Sequence, residues 1–276
     1  MSTVSDVRAE IKGTERIDEI GFDGLVLLQE PAEFCYGIDA VLLADFASKD
    51  RGKRILDLGT GTGIIPLILA RKTKAPELWA VELQKNSADR ACRSVKANGL
   101  EGRIHICNCD VLDLTEKAAP ENLEVPQQGA PSVQPGAPLS SLLPLRGSFD
   151  AVTSNPPYVE RGAGLVCDNE AMQIARQESS AVMEDFFRAA SAMLRRKGSL
   201  YLIQRPARLT DLLAQARKHQ LEAKEIRFVR PKAGKEPNLV LIRYAKDGGK
   251  ELHFLQDLIV YGEDGKYTEE VLAMYR

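Results

Sequence analysis

Apolar and polar positions alternate along this chain in a strand–turn–helix rhythm. Arg54 to Leu58 (RILDL) is a short apolar run that enters Gly59-Thr60-Gly61-Thr62-Gly63, and apolar positions resume at helical spacing from Ile64 to Arg71. Glu77 to Val81 is a second strand, ending at Glu82. Gln84 to Asn98 has one apolar face and closes at Gly99, as a helix should. Arg103 to Asn108 is a third strand, ending near Asp110, and Phe149 to Ser154 is a fourth. Helix Glu184 to Leu194, strand Ser199 to Gln204 and helix Thr210 to His219 follow. The final strands are Leu221 to Val229 and Leu239 to Tyr244, with Pro231 to Pro237 between them.

Strands separated by helices predict an α/β fold: a doubly wound, mostly parallel sheet of seven strands, whose closing pair could be antiparallel. The expected division is an N-terminal strand/helix extension over 1–48, a main domain over 49–246 and a tail over 247–276 packed on it. Residues Glu116 to Gly147 break the rhythm. These 32 residues hold six Pro, three Gln and three Gly, a composition that cannot build a core, so a flexible insertion is expected.

The glycines sit where a strand becomes a helix, so the backbone can turn tightly and a ligand can approach closely. Ile64 stands where a dinucleotide fingerprint would have its third glycine, and Asp57 precedes the first. An acid there repels a pyrophosphate and suits a cationic ammonium. Glu82 is placed to accept from ribose hydroxyls, and Asp110 from an adenine amino group. Three acids at three strand ends share the carboxyl edge of the sheet, where ligands bind in this architecture. Together with Thr60 and Leu83, this constellation resembles the class I S-adenosylmethionine-dependent methyltransferases.

Ser154-Asn155-Pro156-Pro157-Tyr158 follows the fourth strand. Two prolines stiffen the backbone, so the Asn155 side-chain oxygen and the Pro156 carbonyl can be aimed at one point. Two acceptors gripping an exocyclic amino group favour a pyramidal nitrogen and stabilise the charge that develops on it. Tyr158 offers a stacking face. The motif resembles the N/D-P-P-Y/F signature of amino-group methyltransferases. That signature leaves adenine N6, guanine N2 in ribosomal RNA and a protein glutamine amide open as targets. Ile64 and the Asn155 to Tyr158 motif disfavour a nicotinamide-linked oxidoreductase.

Charge narrows the target. The chain carries −2 overall, yet between Phe186 and Lys246 there are 15 Lys and Arg against 4 Asp and Glu, +11 in that segment. Such asymmetry points to a polyanion. Arg195, Arg196, Lys197, Arg205, Arg208, Arg227, Arg230, Lys232 and Lys235 are the candidates to track an RNA backbone. His105-x-Cys107-x-Cys109 lacks a second ligand cluster, so no metal is expected. The five cysteines, odd in number and scattered, read as reduced thiols. No apolar h-region or membrane-length apolar run is present, which predicts a cytoplasmic protein without a membrane span.

Several segments carry a closer likeness. They are Leu25 to Gln29, Phe34 to Ala44 (FCYGIDAVLLA), Arg227 to Leu241, Leu258 to Tyr261 and Glu263 to Thr268. Together they resemble the tRNA(Val) adenine-N6-methyltransferase family. The resemblance implies methylation of the adenosine beside the anticodon. It implies that Tyr36 and Asp39 flank the cofactor pocket, that Asp57, Gly59, Gly61, Glu82 and Asp110 hold S-adenosylmethionine, and that Asn155 to Tyr158 hold the adenine. Gln256-Asp257 before Leu258, where a Pro-Pro is expected, and the Pro-rich insertion depart from the family pattern.

Overall fold

The computed structural model describes residues 11–22, 24–33, 35–115, 136–157 and 181–276. Strands β1 (Arg16–Glu19) and β2 (Val26–Gln29) form an antiparallel hairpin. Helix α1 (Ile38–Ala47) leads into β3 (Arg54–Leu58), α2 (Ile64–Lys72), β4 (Glu77–Glu82), α3 (Lys85–Ala97) and β5 (Ile104–Asn108). Then come β6 (Phe149–Ser154), α4 (Met183–Met193), β7 (Leu194–Gln204), α5 (Leu209–Lys218), β8 (Leu221–Lys232) and β9 (Leu239–Lys246). Short elements β10 (His253–Phe254), β11 (Leu258–Tyr261) and α6 (Glu269–Ala273) finish the chain.

The main sheet runs β8-β9-β7-β6-β3-β4-β5. Neighbours from β7 through β5 are parallel, while β9 runs against both β7 and β8. These are the seven strands expected from the sequence. Among the described residues the sheet nevertheless has nine strands, because β10 and β11 of the C-terminal segment both pair in parallel with β8. Strands β3 and β4 are buried along nearly their whole length, since helices cover both faces and leave no polar side to alternate with. One face packs on α1, α2 and α3 through Leu43, Leu67, Ile68 and Ala91. The other packs on α4 and α5 through Phe187, Ala190 and Leu212.

Helix α1, assigned by the sequence to an extension, packs against α2 and β7 within that first core. The hairpin lies along α3. Leu28 N–H donates to Ser94 Oγ at 3.0 Å and Val26 N–H to Asn98 Oδ1 at 3.0 Å, so helix side chains satisfy the open edge of β2. Glu15, nearly buried, is bridged by Arg93 at 2.6 Å and by Arg90 at 3.7 Å.

The reading of 116–147 as a flexible insertion needs correction at its C-terminal end. Residues 116–135 lie outside the described residues. Gly136 bridges Cys107 on β5, Ala137 N–H donates to Ile106 O at 2.6 Å, and Leu139–Leu142 forms one helical turn with Leu142 fully buried. Gly136 has φ +94°, and a Cβ there would sit 2.1 Å from Ile106 O, so the close approach needs a glycine. Proline content concealed a leucine run (Leu139, Leu142, Leu143, Leu145) that packs on the second core.

Candidate active site

The glycine loop leaves β3 with Gly59 and Thr60 both donating their N–H to Val81 O at 2.9 Å, which staples it to β4. Gly63 adopts φ +88° as the N-cap of α2, where a Cβ would press on Ala91 at 3.2 Å. Among the described residues no side chain caps this helix, so its first N–H groups point toward the loop. The Phe186 ring lies against Gly59, 3.5 Å from where a Cβ would be. The sequence analysis placed Phe186 within the helix Glu184 to Leu194 and gave it no part in the site.

Glu82 ends β4. Its Oε2 accepts from Gly61 N–H at 2.8 Å and its Oε1 from Gln84 N–H at 2.8 Å. Burial pushes its pKa up, opposed by the N–H groups of Gln84, Gly61 and Leu83. Each carboxylate oxygen keeps further acceptor capacity. Asn108, which the sequence reading passed over, holds the Glu82–Leu83 corner: its Nδ2 donates to Glu82 O at 2.8 Å and Leu83 O at 2.9 Å.

Asp57 is 1% exposed. Its Oδ1 accepts from the Thr153 hydroxyl at 2.7 Å, and its Oδ2 is buried without a hydrogen-bond partner. Burial pushes the carboxyl up to about 6, opposed by the Thr153 hydroxyl and reinforced by the Glu82 charge. A partnerless carboxylate oxygen at the ligand edge of the sheet suits a cationic donor. Asp110, just past β5, N-caps the turn Val111–Leu114: Oδ1 accepts from Leu112 N–H at 3.0 Å, and Asp113 Oδ2 accepts from Asp110 N–H at 3.1 Å. The sequence reading of Asp110 as a ligand acceptor did not include this reciprocal cap with Asp113.

Beyond β6, the buried Ser154 hydroxyl donates to Leu58 O at 3.0 Å, which locks the strand end to β3. Asn155 is half-buried, Pro156 buried and Pro157 exposed; Tyr158 lies outside the described residues. Asn155 Nδ2 donates to Asp39 Oδ2 at 3.1 Å, so the N-terminal segment does reach the site. Tyr36 is fastened differently. Its N–H donates to Gln29 Oε1 at 3.0 Å, and burial together with the Asp18 charge raises its pKa.

The basic residues do not form one track. β8 and β7 run in the same direction, so Arg205, Arg230, Lys232 and Lys235 fall at the edge that carries Asn155. Arg195, Arg196 and Lys197 bulge at the start of β7, beside the start of β6, at the opposite edge. Arg195 pairs there with Asp150 at 2.6 Å. Arg230 bonds Asp257 at 2.5 Å and Lys235 O at 2.5 Å, so it shapes the loop that presents Lys232 and Lys235, both exposed. Arg227 donates to Gln256 O at 2.9 Å. Gln256-Asp257, the departure from the family pattern, therefore tethers the tail to β8. Among the described residues no group of three His, Cys, Asp or Glu is placed to hold a metal ion, and no helix is long and apolar enough to cross a membrane.

This glycine loop and its strand-end acids, with an Asn-Pro-Pro turn on the same edge of a seven-stranded core, define a Rossmann-like class I methyltransferase. Residues 27–122, which include Asp57, Glu82 and Asp110, match the model of the methyltransferase small domain. Over most of its length the chain resembles the tRNA(Val) adenine-N6-methyltransferases. The tRNA1(Val) (adenine(37)-N6)-methyltransferase of Porphyromonas gingivalis is 29% identical over 246 residues, 86% of each protein. The enzyme of that name from Mannheimia succiniciproducens is 27% identical over 87% of this chain and 85% of its own. Among solved structures, an Agrobacterium tumefaciens protein described as a "predicted O-methyltransferase" superposes with a TM-score of 0.64 at 25% identity, covering 86% of this chain and 95% of that one.

Proposed function

We propose that this enzyme transfers a methyl group from S-adenosylmethionine to the exocyclic N6 amino group of an adenosine in tRNA, near the anticodon. The observation that carries the reading is the placement of Asn155-Pro156 on the edge that also holds the partnerless Asp57 oxygen and the Glu82–Gly61 pair. The relatives named for adenine-37 N6 methylation of tRNA support the target.

S-adenosylmethionine supplies a methyl group already activated on a sulfonium, so no strong base is needed before attack. Asp57 would take its ammonium, Glu82 its ribose hydroxyls and Asp110 its adenine amino group, with Thr60, Gly59, Gly61, Gly63 and Leu83 shaping the backbone around it. Asn155 Oδ1 and the Pro156 carbonyl would accept the two amino hydrogens of the target base, holding its nitrogen toward the methyl. Tyr158 would stack on that base. Arg205, Lys232 and Lys235 would meet phosphates beside a splayed anticodon loop, where unstacked bases are accessible to side chains. Arg230 would act by holding their loop. With tRNA as its substrate, the protein would act in the cytoplasm.

The test is label transfer from S-adenosylmethionine to total tRNA, ribosomal RNA and a release factor, with Asn155→Ala in parallel. Label as N6-methyladenosine in tRNA, absent with the variant, is the expected result. Label in guanosine or glutamine would overturn the target.

A further inference from the structure

We infer that Tyr261 is a stacking platform for an unpaired base of the substrate RNA, other than the base that is methylated. The inference rests on the RNA reading above and adds a binding residue to it.

Four rings lie in a row along the C-terminal segment. Phe22 stacks on Tyr275 with centroids 5.8 Å apart and planes at 27°. Tyr275 stacks on Tyr267 at 6.2 Å and 17°, and Tyr267 on Tyr261 at 5.3 Å and 21°. Near-parallel rings at these separations are a favoured arrangement. The two ends of the row differ. Phe22 is 3% exposed, and Lys72 Nζ lies 5.7 Å over its ring. Tyr261 is half-buried, and among the described residues no further ring stacks on it. A planar base can therefore join the row at Tyr261, as its next member.

The row is held before any base arrives. Tyr261 and Tyr267 form an antiparallel bridge, and Thr268 N–H donates to Val260 O at 3.0 Å. The Thr268 side chain caps α6, whose Val271 is fully buried. A ring fixed in this way loses little freedom on binding.

Its position fits a nucleic acid. In the parallel pairing of β11 with β8, Tyr261 stands opposite Lys232, at the edge that carries Asn155. Lys232 and Lys235, both exposed, can take phosphates on that side. The turn that follows Tyr261 exposes Glu263 and Asp264 beside Lys266, and its acids turn phosphates back toward β8. Tyr36 connects the row to the catalytic turn. It lies within electrostatic reach of Tyr267 and Tyr275, three positions before Asp39, whose Oδ2 accepts from Asn155 at 3.1 Å. Stacking on an aromatic face tolerates any base, so Tyr261 grips a loop of splayed bases without reading its sequence.

The experiment measures the binding of two RNA probes in the presence of S-adenosylhomocysteine. One is an anticodon stem-loop, the other a blunt duplex of equal length with no unpaired base. Tyr261→Leu keeps apolar bulk but removes the aromatic face; Tyr261→Phe keeps the face. Tyr261→Leu should weaken stem-loop binding about tenfold, within the range for loss of one stacked base. Its duplex Kd should stay within about twofold, and its slope of log K against log salt should be unchanged, since no phosphate contact is lost. Tyr261→Phe should match wild type on both probes. A second readout uses wild-type protein alone: stem-loops carrying 5-iodouridine at each loop position in turn, irradiated in the complex, should crosslink to the peptide that holds Tyr261. Stem-loop affinity that survives Tyr261→Leu overturns the inference, as do equal losses on both probes or crosslinks confined to other peptides. Wild-type protein that crosslinks at Tyr261 but methylates none of the three substrates overturns the functional reading instead and leaves the platform standing.

Discussion

Glu82 and Gly61 form a single unit. The carboxylate at the end of β4 accepts the loop N–H at 2.8 Å, and its second oxygen accepts Gln84 N–H at 2.8 Å at the entry to α3. One side chain thereby sets the shape of the loop and the start of the next helix, and it stands where the ribose is proposed to bind.

Glu82→Gln keeps the volume but turns an NH2 group toward one of these backbone N–H donors. S-adenosylhomocysteine affinity should fall at least tenfold, about 1.4 kcal/mol or more. Calorimetry showing less than a twofold change would remove Glu82 from the binding site.

Asp57 predicts a pH dependence. Burial raises its carboxyl to about 6 in the free fold from a usual 3.8. The stability contribution of this group is therefore present below pH 3.8 and lost as pH rises through about 6. Asp57→Asn should match wild-type stability near pH 4 and exceed it above pH 6, by up to about 3 kcal/mol, while losing S-adenosylhomocysteine affinity. Wild-type affinity should rise about tenfold between pH 5 and pH 7 as Asp57 ionises to meet an ammonium. Denaturant titrations and calorimetry across that range check both; a flat affinity profile would contradict the assignment.

Leu142 tests the ordered end of the Pro-rich stretch. It is fully buried, so Leu142→Ala should destabilise the protein by about 2–4 kcal/mol. A melting temperature equal to wild type would mean that this turn does not belong to the core.

The two groups of cations should behave differently with RNA. Lys232→Glu with Lys235→Glu, at the Asn155 edge, should weaken tRNA binding and reduce the slope of log K against log salt by about 1.4. Arg195→Glu with Arg196→Glu, at the opposite edge, should leave the slope unchanged. Equal effects from both pairs would place the RNA elsewhere.

Much of this was legible before any coordinates. The strands at Arg54–Leu58 and Phe149–Ser154 begin and end where their apolar runs do, because a strand buried on both faces is apolar throughout and turn residues bound it sharply. The glycine loop, Glu82 and Asn155 were likewise visible, since each sits at a fixed offset from a strand end. The helical turn at Leu139–Leu142 was not, because composition averaged over 32 residues hid four leucines. Nor was the cap made by Asp110 and Asp113, since a strand-end acid invites a ligand reading first.

Local pattern thus settles which segments are strands and which residues stand at their carboxyl ends, because those preferences act between near neighbours. Relations across the chain come from packing. The Asn155–Asp39 contact, the separation of Arg195–Lys197 from Lys232 and Lys235, and the two strands added to β8 all depend on strand order and direction. A run of charges in sequence carries no information about which edge it occupies. That follows from whether each strand runs with or against its neighbour, and the buried faces of the whole sheet decide it together.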